Sequence, residues 1–180
     1  PYTHHWMEYA ARLSWAFQQT TPVHQVALLG ATPDVWSRWG LDRNPWITHP
    51  WYWHELWQAF TNNGFGSDYV NSTTLNESHV ENGKLVIGPM RYDILVVAES
   101  STMEPETLER IKRIADQGVP VTFINQMPEQ SPGFSYRESR NQQVHELVSQ
   151  LKQSSQCQIK SLSKEDDLIQ WADECMSARN

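Results

Sequence analysis

Residues 92–125 constrain the fold more than any other stretch of the chain. They run Tyr92-Asp93-Ile94-Leu95-Val96-Val97-Ala98, then Glu99-Ser100-Ser101-Thr102-Met103-Glu104-Pro105, then an amphipathic segment to Gly118, then Val119-Pro120-Val121-Thr122-Phe123-Ile124-Asn125. The first and last runs are apolar and β-branched, without the polar alternation of a half-solvated strand. Two such runs joined by one helix predict a βαβ unit in a parallel sheet buried on both faces. Ligands of such sheets gather beyond the carboxyl ends of the strands, so any chemistry is expected in the loop after Val97.

Taken in order, the chain opens with Trp6, Ala10, Leu13 and Phe17 at helical spacing between His5 and Gln19. Met7, Tyr9 and Trp15 widen this stripe until little of the circumference is polar, which predicts a helix wedged between layers or facing a neighbouring domain. Thr20-Thr21-Pro22 ends it, because proline disfavours helical geometry in the residue before it. Residues 23–29 are predicted as the first buried strand, closed by Gly30. Residues 31–48 hold three prolines and glycines, three tryptophans and no sustained period, so they are expected as a long loop with one turn around 35–39. Pro50 opens a predicted helix through Trp53, Leu56, Trp57 and Phe60 that stops at Asn63-Gly64.

A second strand is predicted at 67–71, a helical turn at 75–80, and a tight Asn-Gly turn at 81–84 leading into a short strand at 85–87. The helix of the βαβ unit starts at Pro105, with Leu108, Ile111, Ile114 and Ala115 on one side. Beyond the loop at 126–136, Val144, Leu147, Val148 and Leu151 mark a helix over 138–152. Residues 157–162 alternate as an edge strand would, and Ser163 with Asp166 three residues on opens a last helix. The pattern is βα repeated about five times. It predicts an α/β three-layer sandwich with a mostly parallel, flavodoxin-like five-stranded sheet and right-handed crossovers. Residues 1–21 are expected as a linking helix from a preceding domain and 22–180 as a single α/β domain. A first residue of Pro1 rather than Met fits a piece cut from a longer polypeptide.

Composition narrows the partners. A net charge of -7 and a pI near 5.4 suit neither phosphate backbones nor nucleic acid. No apolar run approaches the roughly 18 residues needed to span a bilayer. Cys157 and Cys175 form no C-x-x-C pattern, so no zinc site is indicated, while their pairing stays open.

The loop after Val97 fails each chemical pattern tested on it. A class I glutamine amidotransferase places a cysteine on that turn, and here the turn is Ala98-Glu99-Ser100-Ser101. An α/β-hydrolase elbow needs glycines two residues either side of the serine, where Ser100 has Ala98 and Thr102. The first βα turn, Gly30-Ala31-Thr32-Pro33-Asp34, has one glycine and a proline where a phosphate cradle needs repeated backbone donors. A phospho-receiver would need an aspartate and a lysine near the places held by Glu99 and Gln126. His49 and His54 straddle Pro50 and do not share a helix face, so no metal and no cofactor are expected. The remaining signal is the group Trp36, Trp39, Trp46, Trp51 and Trp53, five of the nine tryptophans in 180 residues. Indole faces of this kind stack on sugar rings or cap another domain. Alternatively, Trp53 and Trp57 face the core and the others brace a loop.

The residues also carry a resemblance. Trp6-Met7-Glu8-Tyr9-Ala10-Ala11-Arg12, Pro22-Val23-His24-Gln25-Val26-Ala27-Leu28-Leu29 and Asp34-Val35-Trp36 resemble the segment leaving the catalytic barrel in glycoside hydrolases of the α-L-rhamnosidase type, family 106 and its relatives. Leu56-Trp57-Gln58-Ala59-Phe60, Asn63-Gly64, Asp68-Tyr69-Val70, Gly83-Lys84-Leu85, Arg91 to Val97 and Pro105-Glu106-Thr107-Leu108 continue it. The resemblance implies a class I glutamine-amidotransferase-like domain that has lost its nucleophile and serves packing or oligomerisation. The catalytic carboxylates would lie in the preceding barrel, so no catalytic residue carries over, and the parent protein would be secreted or periplasmic. The expected partners are that barrel, a second copy, or carbohydrate. Two other functions stay in view: a free-standing amidotransferase-like or esterase-like enzyme using Ser100, and a carbohydrate-binding module using Trp36, Trp39 and Trp46.

Overall fold

The computed structural model describes residues 2–39, 54–162 and 165–177, with backbone alone at 36–39 and 165–166. In chain order its elements are α1 (Thr3–Gln18), β1 (Val26–Leu29), α2 (Thr32–Trp39), α3 (Glu55–Asn62), β2 (Ser67–Val70), α4 (Ser72–Asn76) and β3 (His79–Glu81). There follow β4 (Lys84–Ile87), β5 (Met90–Tyr92), β6 (Ile94–Val97), α5 (Pro105–Asp116), β7 (Val121–Ile124), α6 (Arg137–Gln153), β8 (Cys157–Lys160) and α7 (Glu165–Ser177). Five strands pair in parallel in the order β2-β1-β6-β7-β8. The other three form an antiparallel meander, β3-β4-β5, inserted between β2 and β6.

Strands β1, β6 and β7 are buried at every position, as their unbroken apolar sequences require. Successive side chains leave opposite faces of each strand and build two cores. Ala27, Leu29, Leu95, Val97, Val121 and Phe123 join Leu108, Ile111, Val144 and Val148 of α5 and α6 on one face. Val26, Leu28, Ile94, Val96 and Ile124 join Leu56, Phe60, Leu168 and Trp171 of α3 and α7 on the other. The architecture is therefore an α/β three-layer sandwich. Trp171 meets Phe60 edge to face, with centroids 5.5 Å apart.

Several sequence expectations are corrected. Residues 32–39, read as loop with one turn, form α2, whose start right after β1 puts Asp34 in the first turn of a helix. The run at 92–97 is divided: Tyr92 ends β5 in the meander, Asp93 pairs with Lys84 at 2.8 Å, and the parallel strand begins only at Ile94. The first strand starts at Val26 rather than Val23, which is exposed. The helical turn expected at 75–80 is α4 at 72–76, and Val80 lies in β3. Asn71 and Thr74 form a capping box that starts helix α4, and at its end Arg110 of α5 donates to the carbonyls of Leu75 and Ser78. The Asn-Gly turn is as its sequence demands, with φ of 52° at Asn82 and 75° at Gly83. The helix start expected at Pro50 and the Ser163 cap lie outside the described residues.

Cys157 packs against one core and Cys175 against the other, so the sheet separates them and they do not pair. Burial pushes the Cys157 thiol up to about 11, leaving it protonated at neutral pH.

Gly66 marks the tightest approach of two segments. A Cβ there would stand 2.2 Å from Cδ2 of His24 and 2.8 Å from the Val23 carbonyl oxygen. Gly66→Ala is expected to cost about 1–3 kcal/mol, since either the His24 ring or the backbone must shift. Urea denaturation checks this, and an unchanged midpoint would show that the segment before β1 yields freely.

Candidate functional site

The order of strands turns back between β1 and β6, and the crevice beyond their carboxyl ends is where a sheet of this type exposes a ligand site. Three loops build it: the β1–α2 turn, the β6–α5 loop and the β7–α6 loop. From the first, the Asp34 carboxylate reaches across. It accepts from the Ser101 backbone N–H, from Ser101 Oγ at 2.8 Å and from Thr102 Oγ1. Asp34 and Thr102 are both buried, at 5% and 6% exposure.

Ser100, the residue at the elbow position, is fully buried, and its Oγ donates to the Thr102 carbonyl oxygen at 2.9 Å. Its proton is committed to loop backbone, and among the described residues no histidine is bonded to it. The far side of the loop is tied to the next one: the Met103 N–H donates to the Gln130 carbonyl oxygen and the Glu129 N–H to that of Ser101, each at 3.0 Å. His145 Nε2 lies 2.8 Å from the Glu129 carbonyl oxygen, so this histidine is engaged with backbone. Asn125, in left-handed geometry at φ 62°, accepts from the Leu162 N–H at 2.8 Å and donates weakly to Glu99. Among the described residues the side chains of this crevice bond to one another and to loop backbone.

A second polar cluster lies at the opposite, amino-terminal end of the sheet. His24 Nδ1 is 2.7 Å from Asp68 Oδ2, and the Tyr92 hydroxyl donates to the same oxygen at 3.0 Å. Burial, then the hydrogen bond to Asp68 and its negative charge, raise the Tyr92 phenol above its ordinary value. The cluster ties three segments together: the link between α1 and β1, the start of β2 and the end of β5. Among the described residues no group of three or more His, Cys, Asp or Glu is arranged to hold a metal ion.

The tryptophan group falls on residues whose side chains the structure does not describe. Trp36 and Trp39 lie on α2, where backbone alone is described, and Trp46, Trp51 and Trp53 lie outside the described residues. Trp57, read as core on the alternative interpretation, is 39% exposed. The functional group that the sequence reading passed over is Asp34. A signal existed, because an acid five residues past a buried strand's end is well placed to face the neighbouring loop.

Among the described residues the fold is an α/β domain with a mostly parallel five-stranded sheet, and at its switch point Asp34 is bonded to the loop after β6. Residues 2–177 match the alpha-L-rhamnosidase family, glycoside hydrolase family 106, and the chain belongs to that family. Over 86 residues it is also 31% identical to a putative beta-glucuronidase of Formosa agariphila, a match covering 47% of this chain and 7% of that protein. The chain thus spans a small fraction of the relative's length, and it is a glycoside hydrolase-related domain.

Two outcomes follow from this geometry. Ser100→Ala is expected to cost about 1 kcal/mol, the worth of one loop hydrogen bond, and a fluorophosphonate probe is expected to leave Ser100 unlabelled. Mass spectrometry after labelling reads the second directly. For Tyr92, the folded chain retains a proton that the unfolded chain releases near pH 10, so its contribution to stability is intact below pH 10 and falls as pH rises above it. Tyr92→Phe should flatten that alkaline decline in denaturation midpoints.

Proposed function

We propose that this chain is a non-catalytic accessory domain of a glycoside hydrolase, α-L-rhamnosidase-like or β-galactosidase-like, serving interdomain packing or oligomerisation. One observation carries the proposal: α1 has no buried residue along its 16-residue length, yet its side chains are those of a buried helix. Trp6 is 70% exposed, Trp15 67% and Phe17 70%, and Tyr2, Met7, Tyr9 and Leu13 are exposed with them. At roughly 150–250 Å² for each aromatic, these side chains leave an apolar area on the order of the 800 Å² that one partner contributes to a standard interface. Trp15 points away from the stripe of Trp6, Tyr9, Leu13 and Phe17, so α1 offers apolar surface on more than one side, as a helix packed inside a larger protein does.

The favoured partner is the catalytic barrel of the same polypeptide, with residues 1–21 as the linking element and 22–180 as the domain. The length of the beta-glucuronidase relative leaves ample room for such a barrel. The strand order 2-1-6-7-8 corresponds to the flavodoxin-like order, which supports a flavodoxin-like and glutamine-amidotransferase-like ancestry with the nucleophile position held by a buried serine. A secreted or periplasmic parent goes with this proposal, and no helix among the described residues is long and apolar enough to cross a membrane.

Assays of the chain with aryl α-L-rhamnosides and aryl β-glucuronides are expected to give no turnover, and robust hydrolysis by the chain alone would sink the proposal. Trp6→Ala and Trp15→Ala should leave the thermal midpoint nearly unchanged, because neither side chain is buried. In the full-length enzyme the same substitutions are expected to destabilise, and an equal lack of effect there would remove α1 as the contact.

A further inference from the structure

We propose that the turn formed by Ser100, Ser101 and Thr102 is a preformed carboxylate-binding site, that Asp34 is its resident ligand, and that vacating Asp34 lets the turn bind a free small carboxylate. Three donors converge on the Asp34 carboxylate: the Ser101 N–H and the hydroxyls of Ser101 and Thr102. Both carboxylate oxygens are engaged, Oδ2 by the backbone and Oδ1 by the two hydroxyls. A carboxylate that accepts several charge-assisted bonds in a buried place is held as a bound anion would be.

The backbone of the turn is held independently of Asp34. Ser100 Oγ closes the turn onto the Thr102 carbonyl oxygen, Ser101 O accepts from Glu129, and the Met103 N–H is fixed by Gln130. The bridge between Thr102 and Gln130 holds the same strip as an extension of the parallel sheet. Asp34 approaches from the other side, on the first turn of α2. Removing its carboxymethyl group therefore leaves the Ser101 N–H in place, with the Ser101 and Thr102 hydroxyls able to turn to the same point, around a space the size of acetate. The ligand class follows from that shape: two planar oxygens sharing one negative charge, as in formate or acetate. A phosphate or sulfate is tetrahedral and larger than the planar group removed.

The proposal also gives the crevice a conformational meaning. Asp34 is an internal plug, latching the first turn of α2 over the place where an α/β sheet otherwise receives a ligand. It goes beyond the accessory role, and glycosidase assays read a different property, so either can fail alone.

The test uses Asp34→Gly and Asp34→Asn in the full chain. Sodium acetate and formate should raise the thermal midpoint of Asp34→Gly saturably over sodium chloride at equal ionic strength. Half-saturation is expected on the order of 1–100 mM, given how little a four-atom ligand can gain. Wild type and Asp34→Asn, whose site stays filled, should show only the salt response. In ¹H–¹⁵N spectra the Ser101 amide of Asp34→Gly should move with acetate. A non-saturable response, or acetate binding that leaves Ser101 unmoved, overturns the proposal. If Asp34→Gly does not fold, Asp34→Ala, which leaves room for formate, takes its place under the same readouts, and a non-saturable formate response or an unmoved Ser101 amide there overturns the proposal equally.

Discussion

Every other element depends on the burial of both faces of β1 and β6. Each is four residues long, bonded on both sides by parallel neighbours, and shut off from water at all four positions. Backbone groups there have no solvent alternative, so lateral pairing is obligatory. Side chains alternating across the sheet need an apolar layer on each face, which α5 and α6 supply on one side and α3 and α7 on the other. The outer strands are relieved of that demand: Tyr69 on β2 and Ile159 on β8 are exposed, and β8 carries Gln158 and Lys160. Polar and charged residues suit strands that present an unpaired edge.

Reversal of strand order between β1 and β6 follows from the long excursion after β2. The chain leaves through α4 and the β3-β4-β5 meander and re-enters beside β1 instead of extending the β2 edge. Loops beyond β1 and β6 then diverge, and a crevice opens between them. In this chain Asp34 spans it. Carrying the site of a doubly wound fold is one property and offering that site to a ligand is another. Here the donors exist and are occupied by the chain itself.

The amino-terminal end of the sheet is built differently. His24, Asp68 and Tyr92 join the approach to β1 with the edge strand and the meander, and Lys84 with Asp93 adds an ion pair beside them. That polar staple sets how the segment from α1 enters the sheet. Helix α1 itself contributes no buried side chain to this framework. Burying an exposed Trp or Phe is worth about 1.5–3 kcal/mol, so a surface with two exposed tryptophans and a phenylalanine is a strong store of unused hydrophobic free energy. Covering α1 therefore has a large driving force.

Periodicity made most of the architecture legible. The five strands of the parallel sheet, helices α5, α6 and α7, the helical nature of α1 and the turn at Asn82-Gly83 follow from spacing, β-branching and turn chemistry, which act over a few residues. Local signals failed where long-range contacts decide. Tyr92 and Ile94 are two residues apart and both buried, yet they serve different sheets because Tyr92 pairs with Leu85 and Ile94 with Val26. A proline-bearing, tryptophan-rich stretch looked like loop, and α2 starts there on the first turn that follows β1. The sequence alone determined that a βαβ unit lies within residues 92–125, its strands at 94–97 and 121–124, and that its loop lacks a cysteine and elbow glycines. Only the tertiary structure decided that Asp34 bonds the loop after β6, because Asp34 and Ser101 are 67 residues apart and meet only when β1 and β6 pair side by side.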